Sequence, residues 1–185
     1  MIDLPSAPCS GPSFNAPPAA RPIPSMVPYS VEALLSRYEA GERDFQGINL
    51  NLADLSGMNL QGVNLQDARL IKANLTGANL SGADLGGAIL RGACLRFARL
   101  SNACLNRALL SGADLRFARL DYASLVAADL ITTDLSGANL SNADLSNADL
   151  RYASLWFSAL RGVRLEGADL KGARLRFTFL SPSLS

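Results

Sequence analysis

Leucine recurs at every fifth position from Leu50 to Leu180, without an insertion or a deletion. The residue two positions before each leucine is nearly always small, and the residue between them is usually Asp, Asn or another polar residue. In an extended chain the small residue and the leucine point to one side, and the residue between them points away. The other two positions carry pairs such as Ser-Gly or Arg-Gly, which are typical of turns. Each block of five is therefore predicted to be a three-residue strand followed by a corner.

A period of five fits neither the 3.6-residue period of a helix nor the two-residue period of a strand. One block alone buries very little, so the blocks must stack as coils about 4.8 Å apart. The motif Arg-Phe-Ala-Arg-Leu occurs at 96–100 and again at 116–120, and Trp156-Phe157 and Arg176-Phe177 keep the same phase after a break at Ser136-Gly137. The sequence therefore predicts an all-β solenoid over 45–180, with four blocks per coil and about seven coils.

The uninterrupted series of blocks such as Ala83-Asp84-Leu85 and Ala148-Asp149-Leu150 resembles the pentapeptide-repeat family. The resemblance covers about three quarters of the chain, and it implies a right-handed quadrilateral (four-sided) parallel β-helix. The segment 34–45, which precedes the repeats, also resembles the N-terminal cap common in cyanobacterial members of the family.

Two further segments precede the repeats, and a short one follows them. Residues 1–28 hold eight of the nine prolines and are predicted to form a disordered Pro-rich tail. Residues 29–44 are predicted to contain a short capping α-helix, with Ser30 as its N-cap and Gly41 as its stop. Residues 181–185 are predicted to be a C-terminal tail.

The composition argues against catalysis and against a bound cofactor. The chain has no histidine, which removes the commonest general base and the commonest metal ligand. Cys94 and Cys104 are half a coil apart and are predicted to be inert surface thiols on opposite faces, unable to pair or to share a metal. The aspartates hold a standard repeat position on a convex surface rather than facing each other in a cleft. We therefore expect no enzyme, no cofactor and no metal site.

The distribution of charge along the chain predicts alternating bands around the solenoid. Residues 91–119 carry six arginines and one aspartate, residues 121–149 carry no Lys or Arg, and residues 151–176 are again basic. A band of this kind either orients a partner or is simply a solvated face. The candidate acidic band comprises Asp121, Asp129, Asp134, Asp144 and Asp149.

One corner of the predicted coil carries phenylalanine where most other corners have glycine or asparagine. Such a column either seals a turn of a different type or binds a partner, because arginine beside exposed aromatics is common at protein interfaces. Nucleic acid is a poor partner for a chain of net charge +1 with five aspartates in the next coil. The candidate interaction surface comprises Arg96, Phe97, Arg99, Arg116, Phe117, Arg119, Trp156, Phe157, Arg176 and Phe177.

The C-terminal coil is predicted to form a homodimer, with Phe179 and Leu180 at its end, because an open β-helix exposes unpaired backbone. No apolar run approaches the roughly 18 to 20 residues that span a bilayer, so we expect no membrane partner and a cytoplasmic location.

The function predicted from these features is a non-catalytic scaffold that binds a protein, which the sequence does not identify. The alternative, implied only by the family resemblance, is a DNA-mimicking modulator of a DNA topoisomerase such as gyrase. The repeats at 45–185 carry 14 Lys and Arg against 11 Asp and Glu, a net of +3, and this balance disfavours a mimic of DNA.

Overall fold

The structure, a computed structural model, describes residues 28–178. The predicted tail at 1–28, apart from Pro28, and the predicted dimer residues Phe179 and Leu180 therefore lie outside the described residues, as does the tail at 181–185. In the described part, helix α1 (Val31–Glu39) is followed by a stack of coils in which one residue in five forms a β-bridge, from Asp44 to Arg174.

All the bridges are parallel, and each joins residues 20 positions apart, such as Asp114 and Asp134. Four blocks of five residues therefore make one coil, as the repeat of Arg-Phe-Ala-Arg-Leu predicts. The predicted three-residue strands are wrong in their length, because only the outward residue of each block forms a bridge. The small residue of each block donates its N–H to the turn rather than to the next coil, which shortens the ladder.

The backbone hydrogen bonds of a block explain why the repeat has five positions. The N–H groups of Asp114, Leu115 and Phe117 donate to carbonyl oxygens of neighbouring coils at 2.8–3.1 Å. The N–H of Ala118 closes the corner on the carbonyl of Leu115 at 3.0 Å. The fifth N–H, that of Arg116, donates to Oδ1 of Asp114 at 3.1 Å. Every N–H of the block therefore has a partner, and one of the five partners is the aspartate side chain.

The inward leucines and alanines form one continuous core. Every leucine from Leu50 to Leu150 at the fifth position is fully buried, and the alanines beside them are at most 1% exposed from Ala68 to Ala153. Three larger polar residues, Thr133, Ser158 and Thr178, replace alanine in this column, and the hydroxyl of each donates to a backbone carbonyl. The hydroxyl of Thr133 donates to the carbonyl of Leu110 at 3.0 Å, and that of Ser158 donates to Leu155 at 2.7 Å.

Helix α1 lies over the first coil, as the sequence predicts for a cap. Oγ of Ser30 accepts the N–H of Ala33 at 3.3 Å, which satisfies one of the free donors at the N-terminus of the helix. Leu34 is fully buried in the same cluster as the first leucines of the stack. The hydroxyl of Tyr38 donates to the carbonyl of Gln61 at 2.8 Å, and Gly41 ends the helix at a φ of 97°.

Candidate functional site

Four phenylalanines occupy the second turn position at the same corner of different coils, and their side chains form two stacked pairs. We define the Phe corner as Phe97, Phe117, Phe157 and Phe177. Ring centroids of Phe97 and Phe117 are 5.3 Å apart with an interplanar angle of 9°, and those of Phe157 and Phe177 are 5.1 Å apart at 10°. All four residues have φ near 57–59°, the left-handed conformation that the corner requires.

Gly137 separates the two pairs, because it occupies the Phe corner's position in the coil between them. The ring of Phe117 leans toward this glycine so closely that a Cβ on Gly137 would lie 2.6 Å from two of the ring carbons. Among the described residues, no ring contact joins Phe117 to Phe157 or includes Trp156. The aromatic column is therefore two separate stacks rather than one.

The side chains of the Phe corner are largely exposed to solvent. The four rings belong to residues that are 51–63% exposed, and Trp156, directly before Phe157, is 38% exposed. Within residues 28–178, five of the nine exposed large hydrophobic residues therefore lie on this one corner. The stacking of the rings accounts for their alignment, but it leaves about half of each side chain accessible to a partner.

The candidate arginines divide into three groups. Arg96 and Arg176 lie over the neighbouring Phe97 and Phe177, with guanidinium carbons 5.6 and 5.7 Å from the ring centroids. Arg116 instead binds carboxylates. The third group, Arg99 and Arg119, lies on the face next to the Phe corner, and the two form a bridge pair. We call this pair the arginine face.

Arg116 joins two coils through the aspartates on both sides of it. Its Nη2 lies 2.6 Å from Oδ2 of Asp114, and its Nε lies 3.7 Å from Oδ2 of Asp134. Arg151 repeats this arrangement on another face, with Asp149 at 2.7 Å and Asp169 at 3.8 Å. Each arginine therefore compensates two like charges that the stack places in register. The sequence offers a signal for this bridge, which is Asp-Leu-Arg with a second aspartate 18 residues after the arginine.

The candidate acidic band does not form one surface. Asp129 and Asp149 share a face, Asp134 and Asp144 lie on two others, and Asp121 lies at a corner. Four of the five contact an arginine, and these pairs are Asp121 with Arg119, Asp134 with Arg116, Asp144 with Arg164 and Asp149 with Arg151. Most of the candidate acidic residues thus pair with an arginine, within the same turn for Asp121 and Asp149 and across coils for Asp134 and Asp144, and the aspartates act mainly as turn caps and bridge partners.

The arginines also affect the titration of these aspartates. Hydrogen bonds from Arg116 hold the pKa of Asp114 below its usual value, and those from Arg151 do the same for the pKa of Asp149. Both groups therefore remain charged in the folded protein to a lower pH than in the unfolded chain, where the pKa is near 3.8.

We expect acid to destabilise the protein through these two pairs. Because the folded pKa values are depressed, their stabilising contribution is complete above about pH 4 and is lost as the pH falls through the folded values. The midpoint of thermal unfolding should therefore fall from pH 4 to about pH 2. The double variant Arg116→Gln/Arg151→Gln should show a shallower fall, while the control Arg91→Gln/Arg161→Gln should follow the wild type. Equal slopes in all three proteins would contradict the assignment.

The two cysteines of the repeats differ from the prediction in one respect. They bridge to different neighbours on faces half a coil apart, as expected. Cys94 is half-buried, and its Sγ lies 3.1 Å from Oγ1 of Thr76. Cys104 is only 4% exposed, so the prediction that it is a surface thiol is wrong. No cluster of three or more potential metal ligands occurs within the described residues.

The last described coil is more open than the middle of the stack. Leu165 and Leu170 are half-buried and Leu175 is 40% exposed, whereas the corresponding leucines of the central coils are fully buried. The homodimer through Phe179 and Leu180 stays a prediction. In residues 28–178, no helix is long and apolar enough to cross a membrane.

Sequence reasoning missed three exposed hydrophobic residues at other corners, namely Leu52, Tyr122 and Tyr152. Each holds the second turn position at a φ near 60°, as the phenylalanines do. The signal was present, because any large residue at that position points outward from a corner. These residues occur singly, however, and only the Phe corner stacks them in successive coils.

Comparison with known proteins identifies the class. The family model of pentapeptide repeats matches in eight copies, over 44–77, 68–107, 93–137, 108–147, 128–167 and 148–181. The chain therefore belongs to the pentapeptide-repeat family. Membership of this family implies a right-handed β-helix, and the coil of four five-residue blocks fits that fold.

The matches to solved structures of pentapeptide repeat proteins cover most of the chain. HetL, a pentapeptide repeat protein involved in heterocyst differentiation regulation from the cyanobacterium Nostoc sp. strain PCC 7120, is 28% identical, with 85% of this chain and 99% of that chain covered and a TM-score of 0.49. The Nostoc protein alr5209 is 33% identical, with coverages of 82% and 96% and a TM-score of 0.30. QnrB1, a plasmid-mediated fluoroquinolone resistance protein, is 19% identical, with coverages of 75% and 84% and a TM-score of 0.35. No curated protein matches.

Proposed function

We propose that this protein is a non-catalytic interaction scaffold that binds another protein through the Phe corner and the arginines beside it. The observation that carries the proposal is the concentration of five of the nine exposed large hydrophobic residues on one corner of the described stack. Exposed apolar residues that are grouped in this way are typical of interaction sites. Single exposed residues such as Leu52 need no such explanation.

The composition of the surface supports a protein partner. Phe97 and Phe117 already stack on each other, and this contact limits their rotamers, so less side-chain entropy is lost when a partner covers them. Arg96 lies against one ring, and Arg99 and Arg119 follow around the corner. Aromatic residues and arginine are the types enriched where binding energy concentrates.

The polar residues of the repeats support a role without catalysis. A catalytic aspartate needs a free carboxylate that faces a substrate, but the aspartates of the repeat commonly accept a backbone N–H of their own turn. Asp129, Asp134 and Asp144 do so at 2.9–3.1 Å. Family members are generally structural or interaction proteins, in keeping with this proposal.

The DNA-mimic alternative finds less support. A mimic of DNA needs a run of uncompensated negative charge along the rod. Here the acidic residues lie on several faces, and arginines contact four of the five residues of the candidate band, two of them from a neighbouring coil. The 19% identity with QnrB1 concerns the fold alone.

The proposal predicts that one corner, and not surface hydrophobicity in general, holds the partner. Affinity capture from the native host should recover a protein with the wild type and lose most of it with Phe97→Ser/Phe117→Ser, at least about tenfold for a buried aromatic pair. The matched control is Leu52→Ser/Tyr152→Ser, which removes two side chains from another corner that are even more exposed than the two phenylalanines. Mass spectrometry with quantitative labelling would measure the ratio. Retention of the same partner by the Phe variant would refute the proposal.

A further inference from the structure

Cys104 is buried although its position in the repeat faces outward. The bridges place Asp84, Cys104 and Ser124 in one column of successive coils. Asp84 and Ser124 are half-buried, whereas Cys104 is only 4% exposed. Cys94 holds the equivalent position half a coil away, and it is half-buried as well. The coils by themselves leave this position partly open, so a further group covers Cys104.

The covering group is attached through sulfur. Cys104 is disulfide-bonded in the structure. Cys94, the other cysteine within residues 28–178, is a free thiol and is therefore not the partner. The sequence contains three cysteines, and the remaining one is Cys9, in the segment that precedes the described residues. A bond within the chain can therefore join Cys104 only to Cys9.

The chain between Cys9 and the first coil is long enough to reach Cys104. The described chain begins beside the first coil, where the N–H of Tyr29 donates to the carbonyl of Asn49 at 2.6 Å. Three successive bridges lead from Asp44 in that coil to Cys104, a distance of about 15 Å along the stack. The 20 residues from Cys9 to Tyr29 span about 60 Å when extended at about 3.1 Å per residue. The length therefore permits the bond from any face of the first coil.

The bond can open without disturbing the coils. The N–H of Cys104 donates to the carbonyl of Ala83 at 2.9 Å, and its carbonyl accepts the N–H of Leu85 at 2.7 Å. Both hydrogen bonds use the backbone, and Cys104 is not part of the cluster of buried leucines and alanines that forms the core. Reduction therefore removes an attachment on the outside of the stack and leaves the fold intact, as reversible exchange with small thiols requires.

We propose that Cys9 is the partner of Cys104, and that their disulfide is a reversible redox modification that ties the N-terminal segment to the fourth coil. The oxidant is a low-molecular-weight disulfide such as oxidised glutathione. One cysteine thiolate attacks it and releases a glutathione thiolate, and the second cysteine thiolate then attacks the mixed disulfide and releases the other. The two protein thiols lose two electrons and two protons, which are recovered in two molecules of reduced glutathione. This modification goes beyond the proposed function, because it involves neither the Phe corner nor the arginines beside it.

Peptide mapping without reduction is the direct test, because trypsin separates the three cysteines and does not cut before the proline that follows Arg21. The peptides that carry the cysteines, in chain order, are 1–37, 92–96 and 100–107. After the full chain is equilibrated with oxidised glutathione, we expect mass spectrometry to find 1–37 joined to 100–107 in most molecules. Cys94→Ser, the matched control, should give the same link, and excess reduced glutathione should remove it. The oxidised protein should run as a monomer on a non-reducing denaturing gel.

A second measurement tests why Cys104 is buried. Cys9→Ser removes the attachment and leaves the coils unchanged. If the attached segment covers Cys104, N-ethylmaleimide should alkylate Cys104 in this variant within about threefold of the rate at Cys94, because both thiols then hold equivalent outward positions. Circular dichroism of the wild type should be the same in oxidised and in reduced glutathione, because the core takes no part in the bond.

Other outcomes would overturn the inference. A link from 1–37 to 92–96, a linked dimer, or glutathione adducts without a link between peptides would each refute the pairing of Cys9 with Cys104. Slower alkylation of Cys104 in Cys9→Ser would show that the coils themselves bury it, against the argument from its column. Loss of the folded spectrum on reduction would make the bond a structural disulfide rather than a reversible modification. The capture experiment with the Phe corner decides the proposed function separately.

Discussion

Ala113→Asp is expected to abolish folding of the central coils, and it is the substitution with the largest expected effect. Ala113 is 1% exposed, and its column lies between stacked leucines. A buried carboxylate without a partner costs several kcal/mol, and even a protonated one needs a hydrogen bond. We expect a loss of at least about 4 kcal/mol in the free energy of unfolding.

The matched control is Ala113→Ser, because the same column already tolerates hydroxyls. Thr133, in the next coil, donates its hydroxyl to the carbonyl of Leu110, and Ser158 donates to Leu155. A serine at 113 can make the equivalent bond one coil earlier, so we expect it to cost less than about 1 kcal/mol. Urea unfolding followed by circular dichroism would compare the two. A folded Ala113→Asp of nearly wild-type stability would show that the core tolerates a charge.

Leu115→Ala is expected to lower the free energy of unfolding by about 3 kcal/mol, within the range of buried leucine truncations. Leu115 is fully buried and packs in the same cluster as Leu95 and Leu135, its equivalents one coil away on each side. Since the coils are held by a regular ladder, they cannot close on a missing isobutyl group without breaking bridges on the other faces. The cavity therefore persists and adds to the lost transfer free energy.

The position in the stack decides the size of this effect. Leu175 occupies the same repeat position, but it is 40% exposed. We therefore expect Leu175→Ala to cost less than about 1 kcal/mol, because an exposed side chain loses little by truncation. Guanidinium unfolding of both variants would give the two values. Equal losses would mean that the last described coil is covered in solution, as a dimer through that end requires.

The side chains that form the core could be predicted from the sequence, because they depend only on the five-residue period of the repeat. Leucine at every fifth position and a small residue two before it determine which side chains point to the axis. The repeat of 96–100 at 116–120 likewise predicted the 20-residue coil that the bridges show. Helix α1 could be predicted because Ser30 and Gly41 act on the backbone nearest to them.

For the outward-facing side chains, the sequence predicted which residues point to solvent but not which contacts they make. The phenylalanines were expected to share a corner, but the sequence did not show that they form two pairs or that Phe117 leans over Gly137. The acidic band was expected as one feature, and the structure spreads it over several faces with arginines against it. Cys104 was expected at the surface, and it is buried.

The sequence by itself therefore determined the coil, its core and the corner at which large residues point outward. Only the tertiary structure decided how side chains 18 to 20 residues apart meet across neighbouring coils. The physical reason is that a strict repeat fixes the backbone, whereas the direction in which Phe117 or Arg116 leans depends on the residues one coil away. The bridge from Arg116 to Asp134 and the close approach of the Phe117 ring to Gly137 are such contacts between coils.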